Sequence, residues 1–473
     1  MKVILINPAF NRYGGVKGHG GSVIPLNLCC LAAYVRELHD DVGLEILDSE
    51  VRDISHEQTV EETAAFSPDL VGITTNTCVF DCVKELTRLL KIRLPNVPIV
   101  LGGTHVSALP ECSLEESKAD LVVRGEGEPT FEEVVAQLKE GKSDWSKING
   151  LAYRDERGEI RVNPPRSLIE DFDVLPFPAR DLVDNTLYTP APTKRVSLGM
   201  NTLIATSRGC PYNCGFCGSR TVWTRRVRSR SPESVVAEMK ECADKYDIRS
   251  FNFTDELFTA NKKRVMGICR LIRKEGLSIR WVCSARAQGL DLETLKMMKQ
   301  AGCHEISFGI ESGSTEILKR IDKGIKPDEA LHVVRLTKKA GIITHASYML
   351  GYVGETEQTI RETIRFAKKL NTKVAAFFIA SPLPGTRLYK EALEKGYLRP
   401  DATWQDYSPL SNAESVLELP NLSTAMIRRW HRKALRDYYF RPRYIISRLL
   451  AMRHWYEIVN LFAGLKIFCR IKK

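Results

Sequence analysis

The run Ser207-Arg208-Gly209-Cys210-Pro211-Tyr212-Asn213-Cys214-Gly215-Phe216-Cys217 decides the fold class of this 473-residue chain. Three cysteines stand at C-x3-C-x2-C in one short loop, directly after an apolar stretch near 202–206 that reads as a strand. A four-iron cluster takes one thiolate per iron, so a loop offering three thiolates leaves one iron open to a small ligand. Structural zinc sites want four ligands with a second pair downstream, and bacterial ferredoxin loops run C-x2-C-x2-C, so neither matches this spacing.

Outward from the loop the chain alternates strands and helices. Downstream, strands are predicted near 250–254, 279–283, 305–310, 343–350 and 374–379, with helical patterns between them and helix starts at Ser231-Pro232, Asp291-Leu292 and Pro327. Six strand–helix units predict a partial (β/α)6 TIM-like barrel over 196–400, with its site at the carboxyl ends of the strands. Upstream, apolar runs at 3–6, 43–47, 70–74, 99–101 and 121–123 alternate with helical segments such as 26–38 and 79–90. That pattern predicts a Rossmann-like, flavodoxin-like α/β domain over 1–147, whose ligand would lie beyond the strand ends at Asn7, Thr75-Asn76, Gly102-Gly103-Thr104-His105 and Gly125-Glu126. Residues 148–195 read as a hairpin and proline-rich linker, and residues 401–473 as a helical, basic segment.

The cysteine loop, with aromatic Phe216 before its last cysteine, resembles that of the radical SAM superfamily. The resemblance covers about 196–390 and implies that Cys210, Cys214 and Cys217 hold a 4Fe–4S cluster. Its open iron would chelate S-adenosylmethionine and reduce the sulfonium, releasing a 5′-deoxyadenosyl radical. Residue by residue, the resemblance carries S-adenosylmethionine contacts onto Phe216, onto Asp255-Glu256 for the methionyl ammonium, and onto Arg286 for its carboxylate. It carries them also onto Glu311-Ser312 for the ribose and Gly351, ahead of Gly354-Glu355-Thr356, beside the adenine. Taken singly, each of these has an ordinary alternative as a turn glycine or a solvated charge. The arginine run Arg220, Arg225, Arg226, Arg228 and Arg230 reads as an exposed face rather than a substrate clamp.

The first domain has no G-x-G-x-x-G after its first strand, so its fold alone is compatible with a flavin, a nucleotide or no ligand. Its loops Pro25-Leu26-Asn27-Leu28, Leu101-Gly102-Gly103-Thr104-His105 and Val123-Arg124-Gly125-Glu126-Gly127-Glu128-Pro129-Thr130 resemble the cobalamin-binding domain found ahead of many radical SAM barrels. That resemblance implies cobalamin contacts at Asn7, Thr75, Asn76, Gly102, Gly103, Thr104, His105, Gly125 and Glu126, the glycines admitting close backbone approach. The motif D-x-H-x-x-G, whose histidine ligates cobalt, does not occur, and His105 follows the fourth strand rather than the first. No cobalt-ligand role is carried onto it, and local packing is expected.

Composition sets the frame for function. With 43% hydrophobic and 27% charged residues the chain reads as folded throughout, and 13 cysteines at this length do not make a disulfide scaffold. The run Val3-Ile4-Leu5-Ile6 ends at Asn7-Pro8, too short for a signal peptide, so a cytoplasmic setting is expected. The net charge of +11 sits in the tail: from Met426 onward there are 13 Lys and Arg against Asp437 and Glu457, leaving 56 basic and 56 acidic residues before it. Aromatic and aliphatic residues interleave with those charges, which suits either a helical cap on the barrel or peripheral contact of 426–473 with an anionic membrane. The resemblance as a whole implies a cobalamin-dependent radical SAM enzyme, a C-methyltransferase on an unactivated carbon working through methylcobalamin. A small-molecule substrate, lipid-like or tetrapyrrole, and a flavodoxin- or ferredoxin-type reductant follow from it. Oxidative cyclisation of the porphyrin-ester type stays open. A tRNA methylthiotransferase is disfavoured because Gly102-Gly103-Thr104-His105 lacks a cysteine and no RNA-binding module follows; nucleic acid is not expected as a partner. A non-catalytic corrinoid sensor is disfavoured by the complete cysteine loop.

Overall fold

The computed structural model describes residues 1–12, 21–190, 199–408 and 415–451. Its first sheet has strands β1 (Lys2–Asn7), β2 (Gly43–Asp48), β3 (Leu70–Thr74), β4 (Ile99–Gly102), β5 (Leu121–Val123), β6 (Leu151–Arg154) and β7 (Ile160–Val162), in the order β2-β1-β3-β4-β5-β6-β7. The first five are parallel. Val3, Leu5 and their neighbours Ile4 and Ile6 are fully buried because helices cover both faces, as a continuous apolar run in a parallel strand requires. Leu28, Phe131 and Val134 pack one face, and Phe80, Leu86 and Leu90 the other. Strand order reverses between β1 and β3, which opens a crevice beyond their carboxyl ends.

The hairpin expected after residue 148 does not stand apart: β6 pairs antiparallel onto β5, and β7 onto β6, so it widens the first sheet. The proline-rich stretch beyond it is anchored by Arg180, which is 2% exposed and pairs with Glu238 at 2.6 Å while donating to the Leu203 carbonyl at 2.8 Å. A buried guanidinium is tolerated only with such partners, and here it pins the connection to the second sheet.

That second sheet begins with β8 (Asn201–Ile204). The short antiparallel pair β9 (Ser207–Arg208) and β10 (Arg228–Ser229) follows, and the sheet continues with β11 (Ser250–Phe253), β12 (Arg280–Ala285), β13 (Cys303–Glu311), β14 (Ile343–Leu350) and β15 (Val374–Ile379). The six long strands are parallel in the order β15-β14-β13-β12-β11-β8. Phe253 stacks on Phe258 with ring centres 4.6 Å apart, Trp281 lies 5.2 Å from Phe253, and its indole N–H donates to the Ala301 carbonyl at 2.7 Å, so the core carries no unmet polar group there. Between Gly309 and Glu311 the register of β13 against β14 shifts, a bulge of the kind that re-aims a side chain at a strand end.

The basic tail divides. Helix Thr424–Tyr439 buries Ile427, Trp430, Ala434 and Tyr438, and the Tyr438 and Tyr439 hydroxyls donate to the Thr372 and Ala375 carbonyls at 2.6 and 3.0 Å. Its apolar face therefore caps the sheet at β15 and is not available to a lipid surface, which corrects the membrane expectation for that helix. Helix Pro442–Ala451 leaves Ile445, Ile446 and Leu450 exposed. The last part of the expected helical segment, residues 452–473, lies outside the described residues. No helix among the described residues is long and apolar enough to cross a membrane.

Candidate functional site

The residues singled out in the second half of the chain gather at the carboxyl ends of the parallel strands, the edge where sites of this architecture form. The cysteine loop leaves β9 through Gly209, whose φ is +95° and where a Cβ would lie 2.0 Å from the Arg226 carbonyl oxygen, so only glycine fits. Cys210, Cys214 and Cys217 are half-buried free thiols in one turn of chain. Burial pushes the Cys210 and Cys217 thiols up, an environment that holds thiolates when a cation shares it. Among the described residues no three His, Cys, Asp or Glu groups converge as ligands to a single ion. A cubane seats its cysteines on separate irons, and three free thiols in one loop suit that arrangement.

Asp255 and Glu256 part company. Asp255 is buried, and its carboxylate accepts from the Thr206 N–H at 2.7 Å, the Thr206 hydroxyl at 2.5 Å and the Ser207 hydroxyl at 2.7 Å. It ties down the strand that leads into the cysteine loop. Glu256 is half-buried, and burial, reinforced by Asp255, raises its carboxyl above the ordinary range; its charge also bears on Cys210. Arg286 is 7% exposed, stacks 3.5 Å from the ring centre of Tyr212 in the cysteine loop, and donates Nε to Gln288 at 3.3 Å. Its Nη2 is buried with no hydrogen-bond partner, a polar atom aimed at something the protein does not supply.

Glu311 sits just past the bulge at φ +66° and accepts from the Lys323 ammonium at 2.8 Å, both buried. Burial works against that ammonium, but Glu311 and Cys214 together more than offset it, so Lys323 is held above its usual range. The same nitrogen lies 5.8 Å from the ring centre of Phe216. Sequence inspection missed Lys323: a lysine after a helix carries no signal, and positive φ at Asp322 and Gly324 is what turns it inward. Ser312, expected beside the ribose, is fully buried with its hydroxyl 2.8 Å from Thr363 and accepting from the Ser314 N–H at 3.1 Å, so it braces a helix instead. Gly351, at φ +84°, donates its N–H to Glu355, whose carboxyl burial pushes up to about 8.

In the first domain, Gly102 and Gly125 face open space, and Gly103, at φ +120°, lets its backbone close to where a Cβ would be 2.3 Å from the Thr75 carbonyl. The Thr75 hydroxyl is buried with no partner. This edge, bare of side chains and carrying an orphaned hydroxyl at the switch-point crevice, fits a bulky cofactor. Asn7 donates to Asp48 at 2.8 Å, Asn76 accepts from the Cys78 thiol at 3.0 Å, and Thr104 is exposed at the rim. His105 is fully buried between Phe80 and Trp404, with ring centres 4.2 and 4.7 Å away, and burial pushes it down to about 4, so it is a neutral packing residue. Glu126, expected as a cofactor contact, accepts from Arg228 at 2.8 Å and from the Ile169 N–H at 2.8 Å and faces Arg208 at 3.3 Å. It belongs to the seam between the two sheets.

Arg208 is the centre of that seam and was not foreseen. Its guanidinium pairs with Glu128 and lies between the rings of Phe172 and Trp223, 5.0 and 4.8 Å from their centres. Since Arg208 stands two residues before Cys210, the loop of the first domain grips the root of the cysteine loop. Glu128→Gln and Arg208→Met should each destabilise by about 3 kcal/mol, because each strands a buried charge, whereas the double variant should cost at least about 1 kcal/mol less than their sum. Denaturant unfolding of the four proteins of that cycle checks it; strict additivity would contradict a direct pair.

Family models match twice: the radical SAM superfamily over residues 204–367 and the B12 binding domain over residues 17–135. Uncharacterized methyltransferase PH0819 of Pyrococcus horikoshii is 37% identical over 470 residues, 98% of each chain. The anaerobic magnesium-protoporphyrin IX monomethyl ester cyclase of Rubrivivax gelatinosus is 28% identical over 401 residues, 84% of this chain and 70% of its own. The solved radical S-adenosylmethionine methyltransferase TsrM from Kitasatospora setae, with cobalamin and a 4Fe–4S cluster bound, shares the fold with a TM-score of 0.72 at 21% identity over 100% of this chain and 99% of its own. Enzymes of this superfamily act on a small-molecule substrate and need a one-electron reductant. Identity to a methyltransferase over nearly the entire length settles the family: this chain belongs to the radical SAM enzymes that carry a B12-binding domain and use a 4Fe–4S cluster, S-adenosylmethionine and cobalamin, on the side of the methyltransferases rather than the cyclases.

Proposed function

We propose that the chain transfers a methyl group to an unactivated carbon of a small molecule, with a tetrapyrrole or lipid-like compound as the class to try first. The observation that carries the proposal is the buried grip of Glu128 on Arg208, which supports a shared reaction space where the crevice of the first domain meets the cysteine loop. When bound, the cluster supplies the electron that splits S-adenosylmethionine into a radical source, and the corrinoid supplies the methyl group.

In this proposal the protein's own groups bind and orient. Cys210, Cys214 and Cys217 are the cluster ligands. Glu256, whose carboxylate is free of the contacts that occupy Asp255, takes the methionyl ammonium, and the orphaned Arg286 Nη2 takes the carboxylate. Glu311, steadied by Lys323, accepts from the ribose, Phe216 packs beside it, and the backbone at Gly351 lines the adenine. Thr75, Gly102, Gly103 and Gly125 receive the corrinoid tail, with Asn7, Asn76 and Thr104 at the rim. Holding the reacting partners in one orientation lowers the entropy cost of bringing them together, which is most of what a scaffold of this kind contributes.

The methyl-transfer proposal and its rival differ in what the product carries. Anaerobically reconstituted, reduced protein given methyl-deuterated S-adenosylmethionine and tetrapyrrole or lipid pools should yield a product bearing the labelled methyl by mass spectrometry. An unlabelled ring-closed product would favour cyclisation. Glu256→Gln should weaken S-adenosylmethionine binding about 10-fold, roughly 1.4 kcal/mol, with the iron content intact. Asp255→Asn should lose iron instead, and the reverse pattern would overturn the division of roles.

A further inference from the structure

The electron that starts the reaction comes from outside the chain, and the arginine run after the cysteines bears on where it enters. That run is not one uniform exposed face. Arg228 and Arg230 turn inward, buried against Glu126 and Glu238. Arg220, Arg225 and Arg226 stay exposed. Arg225 donates Nε and Nη2 to the Pro211 carbonyl at 3.2 and 3.0 Å, and Arg220 donates to the Asn213 side-chain oxygen. From a distant part of the chain, exposed Arg387 lies against Gly215, where a Cβ would stand 2.7 Å from its Nη2. Positions 211, 213 and 215 of the cysteine loop are thus each in contact with the guanidinium of an exposed arginine, although Gly215 itself is buried.

None of Arg220, Arg225 and Arg387 has a carboxylate partner among the described residues, and Arg226 has only Glu170, at 2.6 Å in a pair 65% and 60% exposed. Other surface arginines, such as Arg36, Arg52 and Arg88, are paired. Because the first 425 residues are balanced at 56 basic and 56 acidic, this ring is a local excess of positive charge and not part of a generally basic surface. Tyr212, 36% exposed, sits among these arginines with Arg286 beneath it, giving the arginine and tyrosine composition that binding surfaces favour.

We propose that the outer face of the cysteine loop, ringed by Arg220, Arg225, Arg226 and Arg387, is the docking surface for a small acidic one-electron carrier protein. The guanidiniums are strung along the loop and do not converge on one point, which suits the broad negative face of a protein rather than a single phosphate. Complementary charge speeds encounter and orients it. One electron leaves the reduced carrier, which is oxidised by one electron, and enters the oxidised cluster, which falls from the 2+ to the 1+ state; no atom is transferred. The proposal rests on the cysteine loop holding a cluster.

The test uses the reconstituted full chain and follows cluster reduction by stopped flow with two donors: reduced flavodoxin, and photoreduced deazaflavin as a small neutral donor. In Arg225→Glu/Arg226→Glu the rate with flavodoxin divided by the rate with deazaflavin should fall at least about 10-fold at low salt, and the wild-type flavodoxin rate should fall as salt rises through about 0.5 M. Arg387→Glu, on the other flank of the loop, should change the ratio in the same direction, and Arg225→Lys/Arg226→Lys should keep it. An unchanged ratio in both glutamate variants, or a wild-type flavodoxin rate indifferent to salt, would overturn the docking surface. Wild-type protein that shows no reducible cluster even with deazaflavin would overturn the cluster itself.

Discussion

The site depends on one buried ion pair, Arg208 with Glu128, packed between Phe172 and Trp223. Removing two charges from water costs several kcal/mol per ion unless each finds the other in good geometry, so the pair forms only when the first domain and the root of the cysteine loop meet in one way. From the other side, Asp255 holds Thr206 and Ser207, the residues just ahead of Arg208. The loop is therefore clamped by acceptors from two directions, and its position relative to the crevice of the first domain is set by the protein alone. A reaction that brings several partners to one substrate benefits from such fixed geometry, because less freedom is lost when the partners meet.

A second consequence concerns charge. Glu126, Arg208, Arg228, Arg180, Arg230 and Glu238 form paired, buried charges along the seam between the sheets. Those charges find partners, although Nε and Nη2 of Arg228 stay buried and unmatched, as do Arg286 Nη2 and the Thr75 hydroxyl at the strand edges. Buried polar atoms are mostly satisfied, so an unmatched one at the carboxyl ends of the strands is a place where a ligand can complete the structure. The seam is held by the protein's own ion pairs, and an unmatched polar atom stands at each of the two strand edges.

Much of the fold was legible from periodicity. The five apolar runs of the first domain and the six of the second correspond to β1–β5 and to β8 and β11–β15, because parallel strands covered on both faces read as uninterrupted apolar stretches. The cysteine loop was legible because its spacing is itself the chemistry. What could not be read was the partner of each charged residue. Glu126 and Asp255 look, in one dimension, like ligands at strand ends; each is occupied by groups brought from 102 and 49 residues away. Lys323 reaches Glu311 only through two positive-φ positions, and Trp404 covers His105 from the far end of the chain. A carboxylate that faces a cofactor and one that faces an arginine share the same local signature, and only tertiary contact separates them.

The most direct test of this account is electron paramagnetic resonance on anaerobically reconstituted, reduced protein, recorded with and without S-adenosylmethionine and paired with metal analysis. Three thiolates on a four-iron cluster predict about four irons per chain and a spectrum that changes when S-adenosylmethionine binds the open iron. A spectrum indifferent to S-adenosylmethionine, or zinc in place of iron and sulfide, would contradict it.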